Sequence, residues 1–314
     1  MRQPRQQQRL QQQTQLRQSN LTAKKLMNQP VDHKVDGLIR FRLDFAYDGT
    51  EYWGFAQQKN FKTVQGELLT ALTTIFGDSK NDFEMRVAGR TDAGVHAFAQ
   101  VAHIDLSPQQ LKRLGRSKGF MGKLNDLLPE DIHVHQVTEA PAGFDARYSA
   151  TWRRYRYRIA DGAAQKDPLK GRFTLWIKHD LDVLAMKAAA LELCGLHDYA
   201  SFCRPKPNAT TIREIRSIEI RRNESDGNVI EVELLADAFC HNMVRSIVGA
   251  LIAAGEGKAG PADVAATLAR RTRVGSYKVQ PPRGLTLIGV GYPDDDQLAI
   301  QAEKARNMRS LDEN

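Results

Sequence analysis

Cysteine is scarce in this chain of 314 residues: Cys194, Cys203 and Cys240 are its whole complement. Three scattered cysteines cannot make a disulfide framework, and that scarcity points to a reducing cytoplasm as the setting. No apolar run approaches the roughly 20 residues that span a bilayer, so no membrane partner is expected. The first residues are polar and Gln-rich, without the apolar segment of a secretory signal. There is no Gly-rich loop ending in Gly-Lys-Ser/Thr, no serine nucleophile elbow and no His-Glu-x-x-His helix, which removes P-loop, serine-hydrolase and zincin chemistry. His133 and His135 share one strand face but have no third ligand at a recognisable spacing. Cys194 with His197, and Cys240 with His241, fall short of a closed zinc site in the same way. No metal and no cofactor are expected.

What the chain has is an uneven charge. The formal net of +8 includes seven basic and two acidic residues in 1–36, and three basic and six acidic residues in 294–314. The intervening body keeps a moderate excess of +6, which suits a polyanion bound by a local patch. Residues 1–36 are Gln- and Arg-rich with little apolar content, and read as a disordered extension.

Between the two ends the periodicity repeats. Strand alternation over Ile39–Tyr47 precedes helical spacing over Val64–Phe76, strands at Glu84–Ala88 and Phe98–Asp105, a helix ending near Leu127, and a strand at Ile132–Val137. A second series follows. It has strands at Trp152–Ile159, Ile212–Arg221, Val229–Leu235 and Leu285–Gly291, and helices at Leu181–Cys194, His241–Ala254 and Pro261–Arg270. Both series read β-α-β-β-α-β, the second with one helix added. The chain is therefore expected to be α+β, with two ferredoxin-like halves and a cleft between them. The expected divisions are the extension 1–36, an N-terminal domain 37–143, a C-terminal domain 144–293 and a flexible tail 294–314 that could form a short helix.

Three segments stand out chemically. Gly89-Arg90-Thr91-Asp92-Ala93-Gly94 places a carboxylate between two glycines after a strand, so Asp92 is either a turn former or a nucleophile. On the strand Trp152–Ile159, Arg154, Arg156 and Arg158 share one face, while Arg153, Tyr155 and Tyr157 share the other. An arginine stripe backed by tyrosines suits RNA, and it also suits a solvated basic edge. In the helix after Asp237, Arg245 lies one position from the apolar stripe of Met243, Val244, Ile247, Val248 and Leu251. A cation there needs a carboxylate, and Asp92 is a candidate.

Six separated blocks carry a resemblance: Tyr47–Thr50, Ala88–Ala97 (AGRTDAGVHA), Leu124–Ile132, Phe144–Ile159, Ala238–Leu251 and Pro281–Pro293. In this order they resemble the tRNA pseudouridine synthase A family over nearly all of residues 38–293. The resemblance implies a pseudouridine synthase fold and conversion of uridine to pseudouridine at positions 38, 39 and 40 of the tRNA anticodon stem-loop. It further implies a homodimer, with no metal or organic cofactor. It makes Asp92 the catalytic nucleophile, Tyr155 the tyrosine that contacts the target uridine, Arg245 the partner of the catalytic carboxylate, and Arg90 a handler of the flipped nucleotide. Arg154, Arg156 and Arg158 are expected RNA contacts. One departure is Gly54-Phe55-Ala56, where the family usually has Gly-Trp-Gln; that loop is expected to lie outside the chemistry.

Two other functions compete. An RNA-binding protein would shift RNA mobility without altering uridine. A small-molecule glycosidase would ordinarily need a second carboxylate beside Asp92, and none is evident.

Overall fold

The computed structural model describes residues 37–114, 119–206, 209–273, 277–307 and 311; the expected disordered extension lies outside the described residues. Strand β1 (Ile39–Tyr47) buries Leu43, Phe45 and Tyr47 on one face and turns Arg42 and Asp44 to the other. Helix α1 (Val64–Phe76) is capped by Thr63, whose hydroxyl accepts the Gly66 amide at 3.2 Å, and it ends at Gly77 with φ 72°. Then come β2 (Arg86–Val87), β3 (His96–Leu106), α2 (Pro108–Leu114), α3 (Gly119–Leu127) and β4 (Ile132–Glu139). The second series is β5 (Trp152–Ala160), β6 (Leu175–Trp176), α4 (Val183–Leu191), β7 (Gly195–Asp198), β8 (Ile212–Asn223) and β9 (Val229–Ala236). It finishes with α5 (Met243–Gly255), α6 (Pro261–Ala269) and β10 (Leu285–Gly291), and α7 (Leu298–Arg306) follows.

The expected elements appear in order, and the differences have local causes. Helix α4 begins later than Leu181 because the Asp182 carboxylate accepts the amides of Leu184 and Ala185, at 2.7 and 3.1 Å. Helix α5 begins at Met243 rather than His241 because Asn242 adopts φ 67°, outside the helical region. The short α2, β6 and β7 have no counterpart in the sequence reading.

The ten strands of the described residues form one sheet, ordered β4-β1-β3-β10-β5-β9-β8-β7, with β2 on β3 and β6 on β5. Each half repeats the ferredoxin-like order, β4-β1-β3-β2 in the first and β10-β5-β9-β8 in the second. The halves meet where β3 runs parallel to β10, with Thr286 opposite His96 and Leu287 opposite Ala97. Strand β2 uses the same edge of β3 further along, with Arg86 opposite His103 and Val87 opposite Ala102. One edge cannot carry both strands at one level, so the chain leaves the sheet between β2 and β3 where β10 arrives. The displaced segment is Ala88–Val95, which contains Asp92. The main hydrophobic core runs continuously beneath, from Leu43, Phe45 and Leu72 through Tyr157 and Leu287 to Val248 and Leu251, and a small second cluster gathers Ala88, Val101, Phe144, Ala146 and Leu298. Each such Leu or Phe contributes about 1.5–3 kcal/mol by leaving water.

The connection between the halves is held by a buried polar cluster. Arg40 forks onto Asp105 with both contacts at 2.7 Å and donates to the Phe144 carbonyl at 2.7 Å. The Asp145 carboxylate accepts the amides of Arg147 and Tyr148. His103 Nδ1 accepts the Ala146 amide at 2.9 Å, which requires a bare lone pair on that nitrogen. Burial, then the Arg40 guanidinium, push the His103 pKa below its ordinary value. A histidine with a depressed folded pKa contributes stability that is present above the unfolded value and lost as pH falls through the folded one. The thermal midpoint should therefore fall as pH drops below about 6.5. His103→Gln should be less stable at pH 8 but show a shallower fall in melting curves; an unchanged slope would remove His103 from this account.

Candidate active site

The segment Ala88–Val95 is fixed through its backbone from three sides. The Ala88 amide donates to the Val101 carbonyl at 2.8 Å, and Gln100 Nε2 donates to the Gly89 carbonyl at 2.8 Å. The Thr91 hydroxyl bonds the Tyr47 hydroxyl at 2.8 Å. The loop after β1 clasps the other side: the Phe55 amide donates to the Thr91 carbonyl at 3.1 Å, and the Gly94 amide donates to the Tyr52 carbonyl at 3.2 Å. Gly54, at φ 98°, lies so close that a Cβ there would stand 3.0 Å from the Thr91 oxygen and 3.3 Å from the Ala93 nitrogen. This corrects the expectation that the Gly54-Phe55-Ala56 loop lies outside the chemistry. Phe55 is a core residue, 1% exposed, and its backbone holds the Asp92 segment.

Asp92 is a turn former through its backbone and still free to act through its side chain. Its carbonyl accepts the Val95 amide at 3.2 Å, while the carboxylate projects with a third of its surface open. Arg245 Nη1 faces Oδ2 at 3.5 Å, as the sequence reading anticipates, and His241 Nε2 faces Oδ1 at 3.4 Å. Arg245 comes from α5, so the site spans both halves. Its Nε donates to the Gln280 carbonyl at 2.6 Å, and its own carbonyl accepts the Gln280 amide at 3.1 Å. The left-handed turn at Asn242 reverses the chain so that residues 241 and 245 converge on one carboxylate.

Tyr155 is 8% exposed and packs edge-on against Phe239, with ring centroids 5.2 Å apart. A Cβ on Gly89 would lie 3.7 Å from its hydroxyl, so the phenol abuts the Asp92 segment. Burial, then the neighbouring Tyr47 and Asp92, hold its pKa far above the ordinary tyrosine value, so it stays a neutral phenol. Its neighbour by alternation, Arg153, is a residue whose role sequence reasoning missed. Arg153 makes five hydrogen bonds to four carbonyls: Ala88 at 3.3 and 2.9 Å, Arg147 at 2.5 Å, Ala150 at 3.1 Å and Asp237 at 2.8 Å. It thereby joins the start of the Asp92 segment to the approach to α5.

The remaining arginines are placed differently. Arg90 is exposed, two residues from Asp92. Arg154, Arg156 and Arg158 alternate away from Tyr155 onto the opposite face of β5. Arg154 is exposed beside the Trp152 ring, Arg156 forks onto Glu233 at 2.6–2.8 Å, and Arg158 pairs with Asp226 at 2.6 Å and Glu231 at 3.3 Å. Cys203 and Cys240, 37 residues apart, are joined as a disulfide with Cα atoms 5.7 Å apart. That pairing departs from the expectation that these scattered cysteines stay unpaired, and nothing in their spacing announced it.

A family model described as tRNA pseudouridine synthase matches residues 45–149 and 189–293. These stretches include Arg90, Asp92, His241 and Arg245 but not Tyr155. A tRNA pseudouridine synthase A of Leifsonia xyli is 48% identical over 289 residues, covering 88% of this chain and 100% of its own. Those of Streptomyces avermitilis (47% identical, 89% and 97% covered) and Mycobacterium leprae (41% identical, 87% and 96% covered) are similar over comparable lengths.

Two substitutions test the scaffold around Asp92. Gly54→Ala places a side chain at positive φ against the loop, a strain on the order of 1–3 kcal/mol. The loop should shift, and turnover should fall while circular dichroism stays native. Arg153→Lys replaces a fork by a point donor that cannot reach all four carbonyls. Each buried carbonyl left unpaired costs about 1–3 kcal/mol, so denaturant melts should show a loss of that order.

Proposed function

The chain belongs to the tRNA pseudouridine synthase family, and from that premise we propose that it acts on uridines 38, 39 and 40 of the tRNA anticodon stem-loop, as a homodimer in the cytoplasm, with Asp92 as its nucleophile. Members of the family are isomerases that convert uridine to pseudouridine in tRNA. The observation that carries the residue assignment is the Asp92 carboxylate, left open on an otherwise pinned loop and facing Arg245 at 3.5 Å. The six-block resemblance supports the target positions and the dimer. No described helix is long and apolar enough to cross a membrane.

The rearrangement detaches uracil from ribose C1′ at N1 and rejoins it through C5. Asp92 either attacks C1′ or promotes departure of the base. The N1–C1′ bond breaks with its electron pair on the uracil, the base turns to present C5, and a C5–C1′ bond forms. The C5 proton is lost to water and N1 gains one, so nothing is oxidised and no group is imported. Arg245 sets an opposite charge 3.5 Å from one oxygen of the carboxylate. Tyr155, a neutral phenol, contacts the flipped uridine as a hydrogen-bond donor and as a surface for the ring. Arg90, exposed two residues before Asp92, holds the displaced backbone. Of the stripe on the far face of β5, Arg154 is the one whose guanidinium is open to RNA, since Arg156 and Arg158 already hold carboxylates.

The test is tritium release from tRNA labelled at uridine C5, because that hydrogen leaves only when C5 becomes the new attachment point. Wild-type protein should release tritium, and Asp92→Asn should abolish release while still shifting tRNA mobility. Replacing uridines 38–40 by cytidine should remove the signal. Release that persists on such a tRNA would refute the target positions, and release by Asp92→Asn would refute the nucleophile. A mobility shift with no release would leave an RNA-binding protein.

A further inference from the structure

The Asp92 carboxylate is approached by two side chains, and the reading above uses only one of them. His241 stands at 3.4 Å from Oδ1 while Arg245 stands at 3.5 Å from Oδ2, so each oxygen has its own neighbour. The position of the imidazole is constrained. The His241 backbone carbonyl accepts the Arg204 amide at 2.9 Å, and the following Asn242 is the left-handed turn that opens α5. Its second nitrogen, Nδ1, is buried and has no hydrogen-bond partner among the described residues.

We propose that His241 is a positioning residue for Asp92, holding Oδ1 in its uncharged form so that the carboxylate keeps one orientation toward ribose, and that protonating His241 switches the reaction off. The proposal rests on Asp92 being the reacting carboxylate. The neutral tautomer with hydrogen on Nε2 sets that N–H on the side of Oδ1, 3.4 Å away and longer than an ordinary hydrogen bond, and leaves Nδ1 a bare lone pair. Adding the second proton would create a buried N–H with no acceptor. It would also place a second full positive charge against Asp92, weakening the carboxylate as a nucleophile.

The charged groups facing His241 are Asp92 on the catalytic loop, Lys206 and Arg204 on the segment after Cys203, and Arg245 one turn along α5. Burial lowers the pKa of the ring, Asp92 opposes that, and the three cations lower it further, for a net shift below the ordinary histidine value. The imidazole is thus neutral at physiological pH and gains its charge only in acid. With folded pKa depressed, the active neutral form persists through pH 7 and is lost only in acid, beneath the ordinary histidine value.

The experiment is a pH profile of kcat and of kcat/KM by tritium release, on the full chain, for wild type, His241→Gln and His241→Ala. Glutamine keeps a donor of similar reach and cannot titrate. His241→Gln should stay within a few-fold of wild type at pH 8 and lose part of the acid limb. His241→Ala should lower kcat by about tenfold, with KM for tRNA unchanged. A purely structural role would leave the acid limb intact, so a His241→Gln profile with the wild-type limb overturns the proposal, whether or not the alanine variant folds. Wild-type protein that releases no tritium at any pH would refute the family activity instead, and the two failures are therefore distinct.

Discussion

Arg153 is the residue on which the geometry of the site depends. It is buried and charged, and among the described residues no carboxylate lies within ion-pair range. Four backbone carbonyls take its charge instead. A buried cation survives only where its donors are satisfied, and here every bond goes to a carbonyl that fixes a different stretch of chain. Ala88 leads into Asp92, Asp237 leads toward His241 and Arg245, and Arg147 and Ala150 belong to the passage between the halves. The guanidinium fork suits this task because its planar donors diverge in set directions, whereas carbonyls offer acceptors without adding negative charge beside the Asp92 carboxylate.

Around that clamp, the site separates rigidity from reactivity. Gly89, Thr91, Asp92 and Gly94 spend their backbone groups on Gln100, Phe55, Val95 and Tyr52, and the Asp92 side chain is left partly open. Gly54, opposite the aspartate, serves close packing of main chain on main chain, while a Cβ on Gly94 would stand 2.9 Å from the Pro282 ring. Arg245 is fixed in the same manner, by Gln280, before it meets the carboxylate. Both partners are thus held by main chain, and the weaker contact between them decides little about where they stand.

Much of this was legible in the sequence because it follows local rules. The alternation in Ile39–Tyr47, the helical spacing in Val64–Phe76 and the strand Leu285–Gly291 gave boundaries that coincide with the structure. Arg245 was traceable because a cation beside an apolar stripe demands a partner. The rest is non-local. The parallel contact of β3 with β10 joins residues about 190 apart and has no short-range signature. Arg153 read only as inward-facing, since a pattern reports the face and not the acceptors on it. The carboxylates that hold Arg156 and Arg158 come from β9 and the turn before it, distant in sequence from β5. His241 looked like half of an incomplete metal site because spacing says nothing of a carboxylate arriving from another loop.

The β3–β10 ladder has a mechanical consequence. Because β3 and β10 are strands of one hydrogen-bonded sheet over a shared core, the two halves cannot swing apart without breaking ladder bonds and exposing apolar surface. The entropy of bringing Asp92 against Arg245 is met once, when the chain folds, and not at each encounter. The protein is therefore stiff across this seam, with Arg245 already beside Asp92 before anything binds.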